Sequence, residues 1–108
     1  MSDNHYDILI FSTANKKEPF LNWLNKFNRD IKKRIITRLN RLILGNLGDY
    51  KAIDNNIFEL KLSFNGGYRI YFGKDGNKLI ILLCGGDKKT QKQDIKKAKK
   101  YWSEYRLA

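Results

Sequence analysis

The chain has 108 residues, of which 22 are basic and 11 acidic, so its formal net charge is +11. Such an excess favours polyanionic partners, above all nucleic acid and after it an acidic protein, over a membrane surface. The length suits one domain with one modest core, and the longest apolar run, residues 79–84, is far too short to span a bilayer.

The first part of the chain predicts a strand followed by two helices. Residues 6–12 (YDILIFS) are expected to form the strand, and Pro19 suits the first turn of the first helix. The second helix is expected to begin near residue 28 or 30 and to end at Gly45, which suits the left-handed position after a helix. Its apolar stripe at helical spacing consists of Ile31, Ile35, Leu39 and Leu42.

Four more strands are expected between residues 50 and 84. The first is a short edge strand at residues 50–53. The next two alternate apolar and polar residues, which indicates that each buries one face. The last strand, residues 79–84, is apolar throughout and is therefore expected at the centre of the sheet.

The loop between the two alternating strands determines which residues face each other. A three-residue loop at Asn65–Gly66–Gly67 pairs Leu62 with Ile70 and Lys61 with Tyr71, which keeps the core apolar. A two-residue loop would bring polar side chains into that core. We therefore predict the three-residue loop.

A last helix is expected after Thr90, which can form a capping box with Gln93. Its predicted buried face consists of Ile95, Ala98 and Trp102, and its predicted exposed face of Lys92, Lys96, Lys97, Lys99 and Lys100. The predicted fold class is α+β, with the helices packed on one face of a mainly antiparallel sheet. The other, open face of the sheet is expected to carry Glu59, Lys61, Ser63, Arg69 and Tyr71.

The composition excludes several kinds of active site. One histidine cannot supply a two-histidine ribonuclease, and a Cys/His cluster for zinc is absent. The carboxylates are scattered, so we expect neither a metal nor a cofactor. The glycine-rich residues 85–89 (GGDKK) do not match a nucleotide-binding P-loop. Cys84, the single cysteine, rules out an internal disulfide, fits a reducing cytoplasmic location, and is interpreted as a core residue.

The remaining polar residues suit a phosphodiester. Arg69 is a fixed cation that can hold phosphate oxygens through two donors. Lys61 or Glu59 can exchange protons if its pKa moves toward neutrality. The loop beside the open face adds Lys88. An alternative is that Glu59 and Lys61 only pair with each other across an exposed sheet.

The segments FELKLSF, GYRIYF, LIILLCGGDKKTQ and DIKKAK together resemble the RelE/HigB superfamily of toxins. Within it, the chain is most similar to the phage-derived addiction module killer proteins, over about residues 16–104. The resemblance implies that residues 1–108 form a single toxin domain. It also implies a RelE-like fold, with two N-terminal helices packed on a mainly antiparallel sheet of four or five strands, and a C-terminal helix.

The same resemblance implies a function in a type II toxin–antitoxin system. The chain would be a metal-independent mRNA endoribonuclease, or mRNA interferase, that inhibits translation by acting on mRNA at the ribosome. Its second partner would be a cognate antitoxin, expected to be a small helix-turn-helix protein from the adjacent reading frame. Two alternatives remain open: a binding module that holds RNA or the ribosome without cutting, and a protein whose main partner is the antitoxin.

Site residues follow from the resemblance together with the chemistry above. The expected catalytic residues are Glu59, Lys61, Arg69 and Lys88. The expected RNA-binding residues are Tyr71, Lys89, Gln91, Lys92 and Lys96. Relatives often carry a catalytic Tyr or His near the C-terminus, where this chain offers Tyr101 and Tyr105.

Overall fold

The computed structural model describes residues 5–64 and 67–108, and in these it contains five strands and three helices. The elements are β1 (Asp7–Ile10), α1 (Pro19–Leu24), α2 (Arg29–Ile43), β2 (Tyr50–Asp54), β3 (Ile57–Leu62), β4 (Tyr68–Asp75), β5 (Leu79–Gly86) and α3 (Gln91–Leu107). The predicted α+β class and the predicted order of elements are confirmed. Among the described residues, no helix is long and apolar enough to span a membrane.

The strands form one mixed sheet in the order β1-β5-β4-β3-β2. β1 runs parallel to β5, and the other neighbours are antiparallel. The prediction that residues 79–84 form the central strand is wrong, because β4 holds that place. β5 nevertheless has a neighbour on each side and is buried on both faces, which accounts for its continuous apolar run.

The register of β3 and β4 differs by two residues from the predicted one. Leu62 lies opposite Tyr68 and Lys61 opposite Arg69. A shift of two residues keeps every side chain on its predicted face, so only the loop length was wrong. β3 ends at Leu62 because the chain then turns, with the Gly67 N–H donating to the Phe64 carbonyl oxygen at 3.1 Å. Asn65 and Gly66 of the predicted loop lie outside the described residues.

Helices cover both faces of the sheet, so the prediction of helices on one face is wrong. One core lies between α1, α2 and the sheet, and includes Phe20, Leu24, Ile35, Leu39, Leu42, Leu60, Ile70 and Phe72. A second core lies between α3 and the opposite face, and includes Ile57, Tyr71, Ile81, Leu83, Ala98 and Trp102. The physical reason is that β4 and β5 carry apolar side chains on both faces and must be covered twice.

The helix ends agree with the sequence in part. The Asn28 side chain caps α2 by accepting from the Ile31 N–H at 3.0 Å, and Gly45 adopts the expected left-handed conformation with φ +90°. Thr90 precedes α3 but does not form the predicted capping box. Its hydroxyl instead donates to the buried Asp94 carboxylate and accepts from the Asp87 N–H.

Close contact between α3 and the sheet depends on Gly73. A Cβ atom added there would lie 2.2 Å from ring carbons of Trp102. We therefore expect Gly73→Ala to lower the free energy of unfolding by about 1–3 kcal/mol through overpacking. Urea denaturation measures this, with Trp102→Leu as the background control. The same loss with and without the tryptophan ring would contradict the explanation.

Candidate functional site

Four of the predicted site residues line one cavity of about 240 Å³ at the end of the sheet. They are Glu59, Lys61, Arg69 and Gln91. β3 and β4 place Lys61 directly opposite Arg69, and Glu59 lies two residues away on the same face. α3 begins at Gln91, so its first residue closes the cavity from the side.

A buried ion pair forms the base of the cavity. Glu59 and Arg69 are 3% and 7% exposed. The Arg69 Nε lies 3.8 Å from the Glu59 Oε2, which also accepts a hydrogen bond from the Gln91 Nε2 at 2.9 Å. The other carboxylate oxygen, Oε1, lies 3.7 Å from the Nζ of the exposed Lys51. Glu59 thus pairs with Arg69 and Lys51, in place of the Lys61 pairing considered as an alternative.

The Arg69 guanidinium is only partly hydrogen-bonded. Its Nη1 donates to the Gly67 carbonyl oxygen at 3.2 Å. Its Nε is buried and has no hydrogen-bond partner within residues 5–64 and 67–108. Nε faces the Glu59 Oε2 in the ion pair and is closed to solvent, so an anion in the cavity would meet the positive charge of the guanidinium rather than this atom.

Tyr71 does not lie on an open face, contrary to expectation. α3 covers it, and its ring is fully buried. Burial raises the pKa of its phenol far above the usual value, and the Glu59 carboxylate raises it further. RNA cannot contact Tyr71 in this arrangement, so the expected RNA-binding role requires an exposure that the structure does not provide.

The remaining predicted lysines are exposed and lie outside the set of residues that lines this cavity. Lys88 and Lys89 occupy the loop before α3, and the Lys88 carbonyl oxygen accepts from the Gln91 N–H at 3.5 Å. Lys92 and Lys96 lie on the first turns of α3. Their roles remain predictions.

The two C-terminal tyrosines lie away from the cavity. Tyr101 stacks on Phe11, with ring centroids 5.2 Å apart. The Tyr105 hydroxyl donates to the Asp75 carboxylate at 2.6 Å, and this hydrogen bond raises the pKa of the phenol. Asp75 and Arg69 lie at opposite ends of β4, about 20 Å apart at the usual rise per residue. Both tyrosines pack α3 against its neighbours.

Three further lining residues were missed by sequence reasoning: Asp49, Tyr50 and Lys51. They come from β2 and the residue before it. Lys51 pairs with Glu59 in the sheet, and the Asp49 carbonyl oxygen accepts from the Lys61 N–H at 2.9 Å. The pairing of β2 with β3 could have revealed them, because it places Lys51 directly opposite Glu59.

The described residues offer neither a cluster of metal ligands nor a reactive thiol. In the part of the chain that the structure describes, no three His, Cys, Asp or Glu side chains lie together as a metal site requires. Cys84 is buried, which confirms its interpretation as a core residue. Burial raises the pKa of its thiol to about 12, so it is not a nucleophile near neutral pH.

Comparison with known proteins gives two matches, and the family match includes this site. Residues 22–103 match the family model described as "Phage derived protein Gp49-like (DUF891)". An uncharacterized protein of Haemophilus influenzae is 48% identical over 81 residues, which cover 74% of this chain and 82% of the relative. The family match spans α2, all strands from β2 to β5, and every residue that lines the cavity.

The buried ion pair gives a stability prediction. Arg69→Met leaves the Glu59 carboxylate buried without its arginine, and we expect a loss of about 3 kcal/mol in the free energy of unfolding. The double change Glu59→Gln with Arg69→Met removes both charges and should restore much of that loss. Urea denaturation of these two variants and of Glu59→Gln alone measures the interaction between the two groups. Additive losses would show that the two groups do not interact.

Proposed function

The chain belongs to the family of phage-derived Gp49-like proteins, and from this membership we propose that it is the toxin of a type II toxin–antitoxin system. The family is associated with toxin–antitoxin addiction modules. The proposal places the chain in the RelE/HigB superfamily. Its activity would be endonucleolytic cleavage of mRNA on the ribosome, which inhibits translation.

The observation that carries the enzymatic proposal is the Arg69 guanidinium, a cationic donor in a cavity that is also lined by Glu59 and Lys61. A phosphate oxygen is an acceptor of the right charge for that donor. Lys61 is exposed at the rim, where it can meet the same phosphate from the solvent side. These two cations supply positive charge to the phosphoryl group, so the reaction does not depend on a metal ion.

The chemistry assigns one step to each group. Glu59 accepts the proton of the ribose 2′-hydroxyl through Oε1, the oxygen whose partner, Lys51, is exposed and readily displaced. The 2′-oxygen then attacks phosphorus, and Arg69 stabilises the charge that develops on the phosphate oxygens. The bond from phosphorus to the 5′-oxygen breaks, leaving a 2′,3′-cyclic phosphate. Lys61 donates a proton to the departing 5′-oxygen.

Gln91 positions the base in this scheme. Its hydrogen bond holds Oε2 of Glu59 and leaves Oε1 facing the Nζ of Lys51. Lys88, in the loop that precedes α3, is proposed as an additional phosphate contact. The same basic surface would bind an acidic segment of the antitoxin, since complementary charge speeds association.

A second candidate function is a non-catalytic module that binds RNA or the ribosome. It is favoured by the pairing of Glu59 with Arg69, since two buried opposite charges can serve stability alone. The two functions differ in whether the intact protein cuts a translated message.

We expect Lys61→Ala to reduce cleavage by about 10²–10³-fold, the usual cost of losing one stabilising group at a reacting centre. Its thermal stability should match that of the parent protein, because Lys61 is exposed. Primer extension on a translated message, together with growth inhibition, measures the effect. Lys78→Ala, an exposed lysine at the other end of the sheet, is the matched control.

Two results would overturn the enzymatic proposal. One is undiminished cleavage by a folded Lys61→Ala protein. The other is a parent protein that binds ribosomes and leaves the message intact, which would establish the non-catalytic module instead.

A further inference from the structure

A larger groove, of about 900 Å³, lies beside the cavity between α2 and the end of β3. Asp49 and Lys61 line both spaces, so the groove continues from the cavity. Five basic side chains line the groove against two acidic ones, Asp30 and Asp49. The basic side chains are Lys33, Arg34, Arg38, Arg41 and Lys61. A groove of this charge suits an extended polyanion.

The floor of the groove contains a planar pair. The Arg34 guanidinium lies over the Phe64 ring, 5.2 Å from its centroid. Tyr68 packs edge-on against the same ring at 5.9 Å, which restrains its orientation. Because Arg34 is exposed and lines the groove, the other face of its guanidinium is available to a ligand. Nucleobases stack on such guanidinium planes.

Arg38 has a different part in this groove. Its Nη1 and Nη2 donate to the carbonyl oxygens of Asn46 and Leu47. A Cβ atom at Gly48 would collide with its guanidinium, so glycine is needed there. Arg38 thus holds the segment that carries Asp49, the wall shared with the cavity. The cations left to meet a ligand are Lys33, Arg34, Arg41 and Lys61.

We infer that this groove binds the single-stranded RNA adjacent to the cleaved bond, with one nucleobase stacked on Arg34 above Phe64. Lys33 and Arg41 meet the phosphates of the same strand. The inference rests on the proposed function and extends it with a base-binding subsite. The stacking of Arg34 on Phe64 favours RNA over an acidic peptide. A carboxylate would bind the N–H groups at the edge of the guanidinium, whereas a nucleobase can stack on its flat face.

The test separates stacking from charge. Arg34→Lys keeps the positive charge and removes the guanidinium plane. Its matched control is Arg29→Lys, an exposed arginine of the same helix outside the residues that line the groove. The probe is a short fluorescent 2′-O-methyl oligoadenylate, which lacks the 2′-hydroxyl nucleophile and cannot be cleaved. Fluorescence anisotropy at fixed salt gives the dissociation constant.

We expect Arg34→Lys to weaken binding of this probe about tenfold, in line with the loss of one stacked base. Arg29→Lys should leave binding unchanged. An abasic version of the probe should bind the parent protein and Arg34→Lys equally, because it has no base to stack.

Several outcomes would overturn the inference: no binding of the probe by the parent protein, or equal binding by the parent and Arg34→Lys. A third is equal binding of an oligoglutamate peptide, which would mark the groove as a surface for an acidic protein. Cleavage is measured separately, so the two proposals can fail independently. If the parent protein shows the expected dependence on the nucleobase but does not cleave mRNA, the inference about the groove stands and the enzymatic proposal fails.

Discussion

The packing of α3 against the second face of the sheet is the contact on which the arrangement of the site depends. Trp102 approaches the backbone of β4 closely because residue 73 is a glycine. The helix thereby buries Tyr71 and brings its own first residue, Gln91, to the Glu59 carboxylate. Without this helix the charged residues of β3 and β4 would lie on an open sheet surface. With it they line a small cavity in which a carboxylate and a guanidinium are held out of water.

Burial changes the chemistry that these groups can perform. Charges in a medium of low polarity interact more strongly than charges in water, so the proposed phosphate contact with Arg69 would be stronger in the cavity than on an exposed surface. The same burial makes Arg69 and Glu59 part of the fold as well as part of the site. Lys61 is exposed and is therefore the group in which the proposed activity can be tested with least effect on stability.

Local sequence patterns were sufficient for the elements and insufficient for their arrangement. The stripe of α2, the turn at Gly45 and the edge strand β2 follow from periodicity and from glycine conformation. The sequence analysis missed that α3 packs on the sheet face opposite α1 and α2. The reason is that α3 has few apolar residues and that its close contact depends on Gly73, which lies on β4. For the candidate site, residue chemistry pointed to Glu59, Lys61 and Arg69, and the family resemblance added Gln91. Lys51 and the Arg34–Phe64 pair depend on contacts between distant segments, which no single segment displays.

The parallel pairing of β1 with β5 bears on how the protein is made. Asp7 of β1 lies opposite Leu79 of β5, so about 70 residues must be synthesised between one strand and its partner in the sheet. Bringing such distant segments together carries a loop-closure cost and tends to slow folding. Gln91, which closes the cavity, is made later still. A nascent chain therefore lacks a complete site until residue 91 has been translated, and a chain released before that point would also lack one.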